Sequence, residues 1–409
     1  MGHCLPKALA VIVVVWLGVT AQPLRVCAQT KSILQDSLVA NRAERGLHFV
    51  YNMEFDSAAV VFAEISRRYQ SHPIGPFFQG LNVWWQIMVD FGDTRHDKRF
   101  NSLMQKVIDL SEELLDHDSN SVDGMFFKGL GLSFRGRLHS NRRHWIRAIR
   151  DAKGAVKQVV RLAESDAENN DFYFGWGVYD YFSEAIVDDH KLLAPLTVFF
   201  PNGDRERGIR ELTRTFKDGR FLRAEAAYFL CQIYTYFQPR YDKSLEYATW
   251  LRVRYPRNTV FRLLEGRAYA RFGKWDESDQ VFRSELGAME RGAMGYTDAM
   301  KEEVLYYLAR GEMSRGAFDL ALDYLKRLND LASRTEKETP FKVLGLLRQG
   351  MSFDALGYRD YALYRYRQVK EMKNWSQSRQ RALRYTKQPY TSPVQIVRNN
   401  AGRRTAEGS

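Results

Sequence analysis

A pattern of small and aromatic residues recurs along this chain, and it restricts the fold more than any other feature. The clearest copy is LLEGRAYARFGKWDESDQVF, residues 263–282, which places Gly266, Tyr269, Gly273, Trp275, Ser278 and Phe282 at ordered intervals. GLHFVYNMEFDSAAVVF sets Gly46, Phe49, Phe55, Ala58 and Phe62 at equivalent places. The run from Tyr228 to Pro256 gives Tyr228, Tyr241, Ser244, Ala248 and Leu251. VLYYLARGEMSRGAFDLALDYL gives Leu308, Ala309, Gly316, Phe318, Ala321 and Leu325, and LRQGMSFDALGYRDYALYRY gives Gly350, Phe353, Gly357, Ala362 and Tyr366. A small residue in one helix lets a second helix approach, and a small residue in the second does the same in return. Aromatics fill the space between successive pairs. No such pair buries its apolar face alone, so the units must stack.

Two units, centred on Tyr241 and Trp275, lie 34 residues apart, and later spacings lengthen to 43 and 41, as longer helices or loops require. Clear units cover residues 38–72 and 224–372. Between 74 and 220 the pattern blurs, but helical periodicity persists. First helices are expected over Pro76–Val89, Asp123–Arg135 and Phe172–Asp188, and second helices over Lys98–Leu115, His144–Glu164 and Asp204–Phe216. These make three degenerate hairpins with insertions, one of them at 189–203. No alternating stretch long enough for a useful strand occurs. Trp375 to Thr386 suits a terminal capping helix. From Gln388 onward the tail is polar and basic, and disorder is expected there. The fold class that follows is all-α: a superhelix of about seven to eight helical hairpins over residues 29–387.

The five fits resemble the tetratricopeptide-repeat family, in which a proline such as Pro256 closes the second helix of a unit. A narrower resemblance covers about residues 170–275. VYDYF (Val178–Phe182), FFPNGDRERGIREL (Phe199–Leu212) and AEAAYFLCQIY (Ala224–Tyr234) look like bacterial exported tetratricopeptide proteins and the eukaryotic inclusion-body-clearance (tetratricopeptide-39) family. This resemblance implies an all-helical superhelix and supplies no catalytic residue. The Gly-Asp-Arg turn within it has a local reading: Asn202-Gly203 turns the chain, Asp204 caps the next helix, Glu206 suits its positive end, and Gly208 allows close helix contact.

The N-terminus is of another kind. Met1–Lys7 is a short positive segment, and Ala8–Ala21 is an uninterrupted apolar block of 14 residues followed by small residues. That is the pattern of a secretory signal peptide, and the block is shorter than the roughly 20 residues that span a bilayer. Export to a bacterial periplasm or cell envelope is therefore expected, with cleavage after Ala21 or Ala28. Leu24–Val26 lacks the small residue that lipidation of Cys27 would require. Of three cysteines, only Cys231 is clearly mature, so the fold depends on packing. The net charge is +12, and loss of Lys7 and Arg25 with the leader leaves +10. Such a surface favours anionic partners outside the cytoplasm: lipid head groups, acidic glycans or acidic proteins rather than nucleic acid. Peripheral contact with an anionic membrane surface belongs to that expectation.

The motifs of catalysis are missing. There is no His-Glu-x-x-His helix, no P-loop, no dinucleotide fingerprint and no Gly-x-Ser-x-Gly elbow. Cys231 sits in an apolar helix and reads as core. No catalytic residue, metal site or cofactor is assigned. What remains is the concave surface, which the first helix of each hairpin lines in arrays of this family. Transfer of those positions gives Phe229, Ile233, Tyr236 and Phe237, then Leu263, Arg267 and Arg271, then Tyr306, Arg310 and Met313. The partner-binding candidates are Phe229, Tyr236, Arg267, Arg271, Tyr306 and Arg310. Arginines beside aromatics suit an acidic or carboxylate-ended protein or peptide segment. The family's carboxylate clamp uses Lys and Asn, and Arg267 stands where Asn is expected, which speaks against that activity. Pairing of these arginines with carboxylates on adjacent helices is the plain alternative. Two other functions compete. A small-ligand or transport-associated binding protein would use Trp176, Tyr179 and Tyr181 with the insert, and a cryptic enzyme would converge Asp180, Glu184 and His190.

Overall fold

Five first helices begin on a side-chain cap, which fixes where each hairpin starts. Asp36, Ser121, Asn258, Thr297 and Thr339 each accept a hydrogen bond from a backbone N–H in the first turn that follows. Most second helices instead follow a tight turn. Gly273, Gly316 and Gly357 make three of these turns at φ 73°, 80° and 84°, where a side chain would be strained.

The computed structural model describes residues 32–163, 165, 169–189 and 203–392, with the backbone alone for 184–189. The expected leader and the end of the tail lie outside these residues. The first two hairpins pair α1 (Ser37–Tyr51) with α2 (Phe55–Arg68) and α3 (Ile74–Val89) with α4 (Asp97–His117). The next two pair α5 (Val122–Asn141) with α6 (Trp145–Ala163) and α7 (Tyr173–Asp189) with α8 (Arg205–Asp218). Then α9 (Arg223–Gln232) pairs with α10 (Tyr241–Arg254), and α11 (Thr259–Arg271) with α12 (Trp275–Glu290). The last two pair α13 (Asp298–Arg315) with α14 (Phe318–Ala332) and α15 (Pro340–Ala355) with α16 (Arg359–Glu371). A single helix, α17 (Ser378–Lys387), caps the stack. The described residues thus form an all-α solenoid of eight hairpins, with each helix packed on its sequence neighbours.

The glycine–aromatic pairing has a direct geometric cause. A Cβ added to Gly46 would stand 2.2 Å from Phe62, one on Gly266 2.8 Å from Phe282, and one on Gly350 2.5 Å from Tyr366. Each aromatic is fully buried against the helix that carries its glycine. The second helix answers with a small residue: Ser278 donates its hydroxyl to the Gly266 carbonyl at 3.1 Å. In the middle region the same solution appears without the aromatic signature. Gly177 and Gly208 bring α7 and α8 together so closely that a Cβ on Gly208 would lie 2.8 Å from the Gly177 carbonyl oxygen. Asp204 caps α8 through the Arg207 N–H at 2.9 Å, as the turn sequence requires.

The superhelix winds tightly enough to close on itself. Trp85 of α3 packs edge-on against Phe261 of α11 at 5.1 Å, and Tyr51 of α1 lies 5.0 Å from Tyr255. Asn258 donates to the Tyr51 carbonyl at 2.8 Å, and Lys337 reaches the Gly92 carbonyl at 2.9 Å. The inner faces of the early first helices therefore become core. At its centre Glu225 accepts hydrogen bonds from Trp85 Nε1 at 2.9 Å and Tyr51 Oη at 3.3 Å. Burial pushes the Glu225 carboxyl above its usual range, because these two donors and the more distant Arg137 only partly replace water.

Candidate functional site

Many arginines of the C-terminal half are paired across helices. Arg252 meets Glu265, Arg262 meets Glu285, Arg283 meets Glu312, Arg315 meets Asp279 and Arg359 meets Asp354. Arg267, expected to be free in the groove, follows this rule. It grips Glu303 of α13 with two hydrogen bonds, the one from Nη2 at 2.9 Å, and the Glu303 side chain is 8% exposed. Desolvation alone would lower the Arg267 pKa, but the field of Glu303 outweighs it and holds the guanidinium firmly charged.

Arg310 behaves differently. Its guanidinium lies 5.0 Å from the Trp275 ring centroid, 5.8 Å from Tyr306 and 5.5 Å from Tyr307. No carboxylate among the described residues pairs with it. It shares this state with Arg348 of α15 and Arg381 of α17. Both of these reach the Met351 sulfur, at 3.9 and 3.6 Å, rather than an acid. Arg348 Nε is buried with no hydrogen-bond partner among the described residues. Burial lowers the pKa of Arg310 and Arg381, and in each case the positive charge of Arg348 lowers it further. Burial pushes the Tyr306 phenol up, yet Arg348, Arg310 and Arg381 together hold it below the ordinary 10.0. Three cations thus act on one buried phenol, and none of the three has a carboxylate partner among the described residues.

The cluster continues an aromatic row. The chain leaves α9 through one π-helical turn, Ile233–Phe237, which leaves Tyr236 and Phe237 41% and 43% exposed. Thr235 steadies this wide turn by bonding to the Cys231 carbonyl at 2.7 Å and the Ser244 hydroxyl at 2.6 Å. Although part of its ring meets solvent, Tyr236 has its phenol pushed up to about 12, by burial first, against the opposing pull of Arg267. The row runs from Tyr236 past Arg267 and Tyr307 to Arg310, Arg348 and Arg381, along first helices that lie side by side.

The other expected residues are placed as follows. Phe229 is half-buried among Phe174, Phe182 and Arg137, the last 4.9 Å from its ring, so it belongs to the closed part of the winding. Ile233, Leu263, Tyr306 and Met313 are buried, and Arg271 is exposed at the end of α11. Tyr181 is core and Asp180 is gripped by Arg207, with Nη2 to Oδ1 at 2.8 Å, so neither opens a pocket or a reactive centre. The Glu184 and His190 side chains and most of the 189–203 insert lie outside the described residues. Sequence reasoning missed Arg348 and Arg381. Arg348 sits on the first helix of the last hairpin and Arg381 on the capping helix, and extending the transferred positions through residues 347–366 and that helix would have reached them.

No family model matches the sequence, and no characterised protein matches it by sequence. Two solved structures are similar in helical course. The crystal structure of Rap protein complexed with competence and sporulation factor is 12% identical, with 85% of this chain and 99% of that chain covered and a TM-score of 0.45. The structure of Naa15/Naa10 bound to HypK-THB is also 12% identical, with 85% of this chain and 74% of that chain covered and a TM-score of 0.30.

Proposed function

We propose that the protein is an exported, non-catalytic helical-repeat scaffold that seats an acidic polypeptide segment on the inner row from Tyr236 to Arg381. The observation that carries this reading is the Arg310–Arg348–Arg381 cluster, which lacks a carboxylate partner among the described residues while neighbouring arginines have one. A guanidinium offers a planar fork of donors to a carboxylate, and the flanking rings give an extended chain an apolar bed. Arg267, already neutralised by Glu303, acts as a wall of the seat rather than as a contact for charge.

The test is fluorescence anisotropy with a labelled short peptide rich in Glu and Tyr, and with the same peptide carrying Gln for Glu. Binding of the acidic peptide alone is expected, with a loss of about tenfold, ~1.4 kcal/mol, for Arg348→Gln. It is also expected to weaken as salt rises, since part of the cluster faces solvent. Equal binding of both peptides, or no effect of Arg310→Gln, Arg348→Gln and Arg381→Gln together, rejects this seat.

A further inference from the structure

At the turn between α5 and α6, Trp145 is 54% and Ile146 87% exposed, and both project from the first turn of α6. Ile149, partly exposed, follows Ile146 by three positions and Trp145 by four, which extends the apolar stripe along one helix face. Cations flank the stripe. Arg143, Arg147 and Arg150 are exposed, and the only acid within the described span of α6 is Asp151. That acid is withdrawn from the surface: it is 1% exposed and held by Arg135, Nη2 to Oδ1 at 2.7 Å, and by His139 Nδ1 at 3.0 Å.

Beside the stripe lies an open pocket of about 430 Å³ lined by Asn101, Gln105, Arg135, His139, Arg147 and Arg150. Its lining contains no carboxylate and no large apolar side chain. Arg135 and His139 are occupied by Asp151, and Arg135 also reaches Gln105, so they stiffen the floor. Arg147 and Arg150 stand at the pocket with no ion pair among the described residues. The turn that carries Trp145 is itself braced. Arg142 holds Asp97 at 2.8 Å and the Asp93 carbonyl at 2.9 Å, which ties it to the start of α4.

We infer that this end of the molecule docks on an anionic phospholipid surface, with Trp145 and Ile146 entering the headgroup–acyl boundary and a lipid phosphate seated between Arg147 and Arg150. Two adjacent large apolar side chains, one of them Trp, on a helix whose polar face is cationic have the composition of an interfacial helix. Indole prefers the depth at which one edge meets hydrocarbon and the other meets water. No described helix is long and apolar enough to cross a membrane. The surface is separate from the peptide seat on the inner row, and each stands without the other.

The test is co-sedimentation of the chain from residue 29 onward with vesicles. The apolar stretch 8–21 would itself enter lipid, and the described residues from Ser32 onward form a compact unit of their own. Vesicles of phosphatidylcholine containing phosphatidylglycerol are compared with phosphatidylcholine alone, and inorganic phosphate is titrated separately. Sedimentation with the anionic vesicles only is expected. It should fall about fivefold for each of Arg147→Gln and Arg150→Gln, and by tenfold or more for Trp145→Ser with Ile146→Ser. All four positions are exposed, so an unchanged circular dichroism spectrum certifies the fold. Tyr361→Ser, at a distant exposed aromatic, should leave sedimentation unchanged. The inference is overturned if the Trp145 and Ile146 variant sediments like the parent, or if phosphatidylcholine alone suffices. It is equally overturned if inorganic phosphate binds while neither vesicle does, which would mark a free-anion site.

Discussion

Gly350→Ala puts the repeat geometry to a quantitative test. At an open helical position, replacing Gly by Ala stabilises by about 1 kcal/mol, because the backbone loses less freedom on folding. At Gly350 the new Cβ would stand 2.5 Å from a Tyr366 ring carbon, about 1–1.5 Å inside the ~3.5–4.0 Å optimum for carbon contacts. The ring has little room to yield. Tyr366 is fully buried, and its hydroxyl donates to Asp354 Oδ2 at 2.8 Å, an acid that also binds Arg359. Overpacking of this kind costs ~1–3 kcal/mol. The severe overlap places it at the upper end, and subtracting the helix-propensity gain leaves a net destabilisation of about 2 kcal/mol. Gly287→Ala is the internal control. Its Cβ would meet first the flexible end of Arg291 at 3.2 Å, so stabilisation of up to about 1 kcal/mol is expected there. Urea unfolding followed by circular dichroism gives both values from the midpoints at constant slope. Because stacked repeats unfold in nearest-neighbour blocks, hydrogen exchange in α15 and α16 localises the effect. If both variants move stability in the same direction, the close approach of helix to aromatic is not what this glycine provides.

Three further outcomes follow from the electrostatics. Arg348→Gln is expected to stabilise the fold by about 1 kcal/mol as like charges separate, while Tyr306 titrates nearer 10.0; tyrosine ring NMR across a pH series reads the second effect, and an unmoved Tyr306 would dissolve the cluster. The Glu225 carboxyl is raised by burial, so its contribution to stability is full below the unfolded value near 4.5 and is lost as pH rises through the higher folded value. Glu225→Gln should remove that decline, and thermal midpoints that run parallel for variant and parent across this window would refute it. The Cys231 thiol, pushed up to about 12 by burial, should resist a thiol reagent at about pH 8 until the protein is unfolded, and prompt labelling of the native state would contradict its placement.

Hairpins were legible in the sequence because their determinants are local. Gly266 and Phe282 lie on the two helices of one hairpin, and the pairing needs only a small residue opposite a ring. Caps act within three residues, and Asp204 was readable for that reason. Even in the blurred middle region, helices α3 to α8 run close to the spans that periodicity gave. The closure of the winding was not legible. Phe229 was read as groove because its place on a first helix was correct, yet the tight superhelix turned that face inward.

The inner row shows the same division at the level of single charges. Sequence alone determined that Arg267 and Arg310 stand on corresponding first helices and that the chain is basic, with a helical array over residues 29–387. Only the tertiary structure decided that Arg267 is neutralised by Glu303, 36 residues away, while Arg310 acts with Arg348 and Arg381 on the buried Tyr306 phenol. The reason is that an ion pair between stacked hairpins depends on the rotation and rise from one unit to the next. No local spacing encodes those quantities. Helical hairpins are therefore a property of this sequence, and the free arginine cluster is a property of its winding.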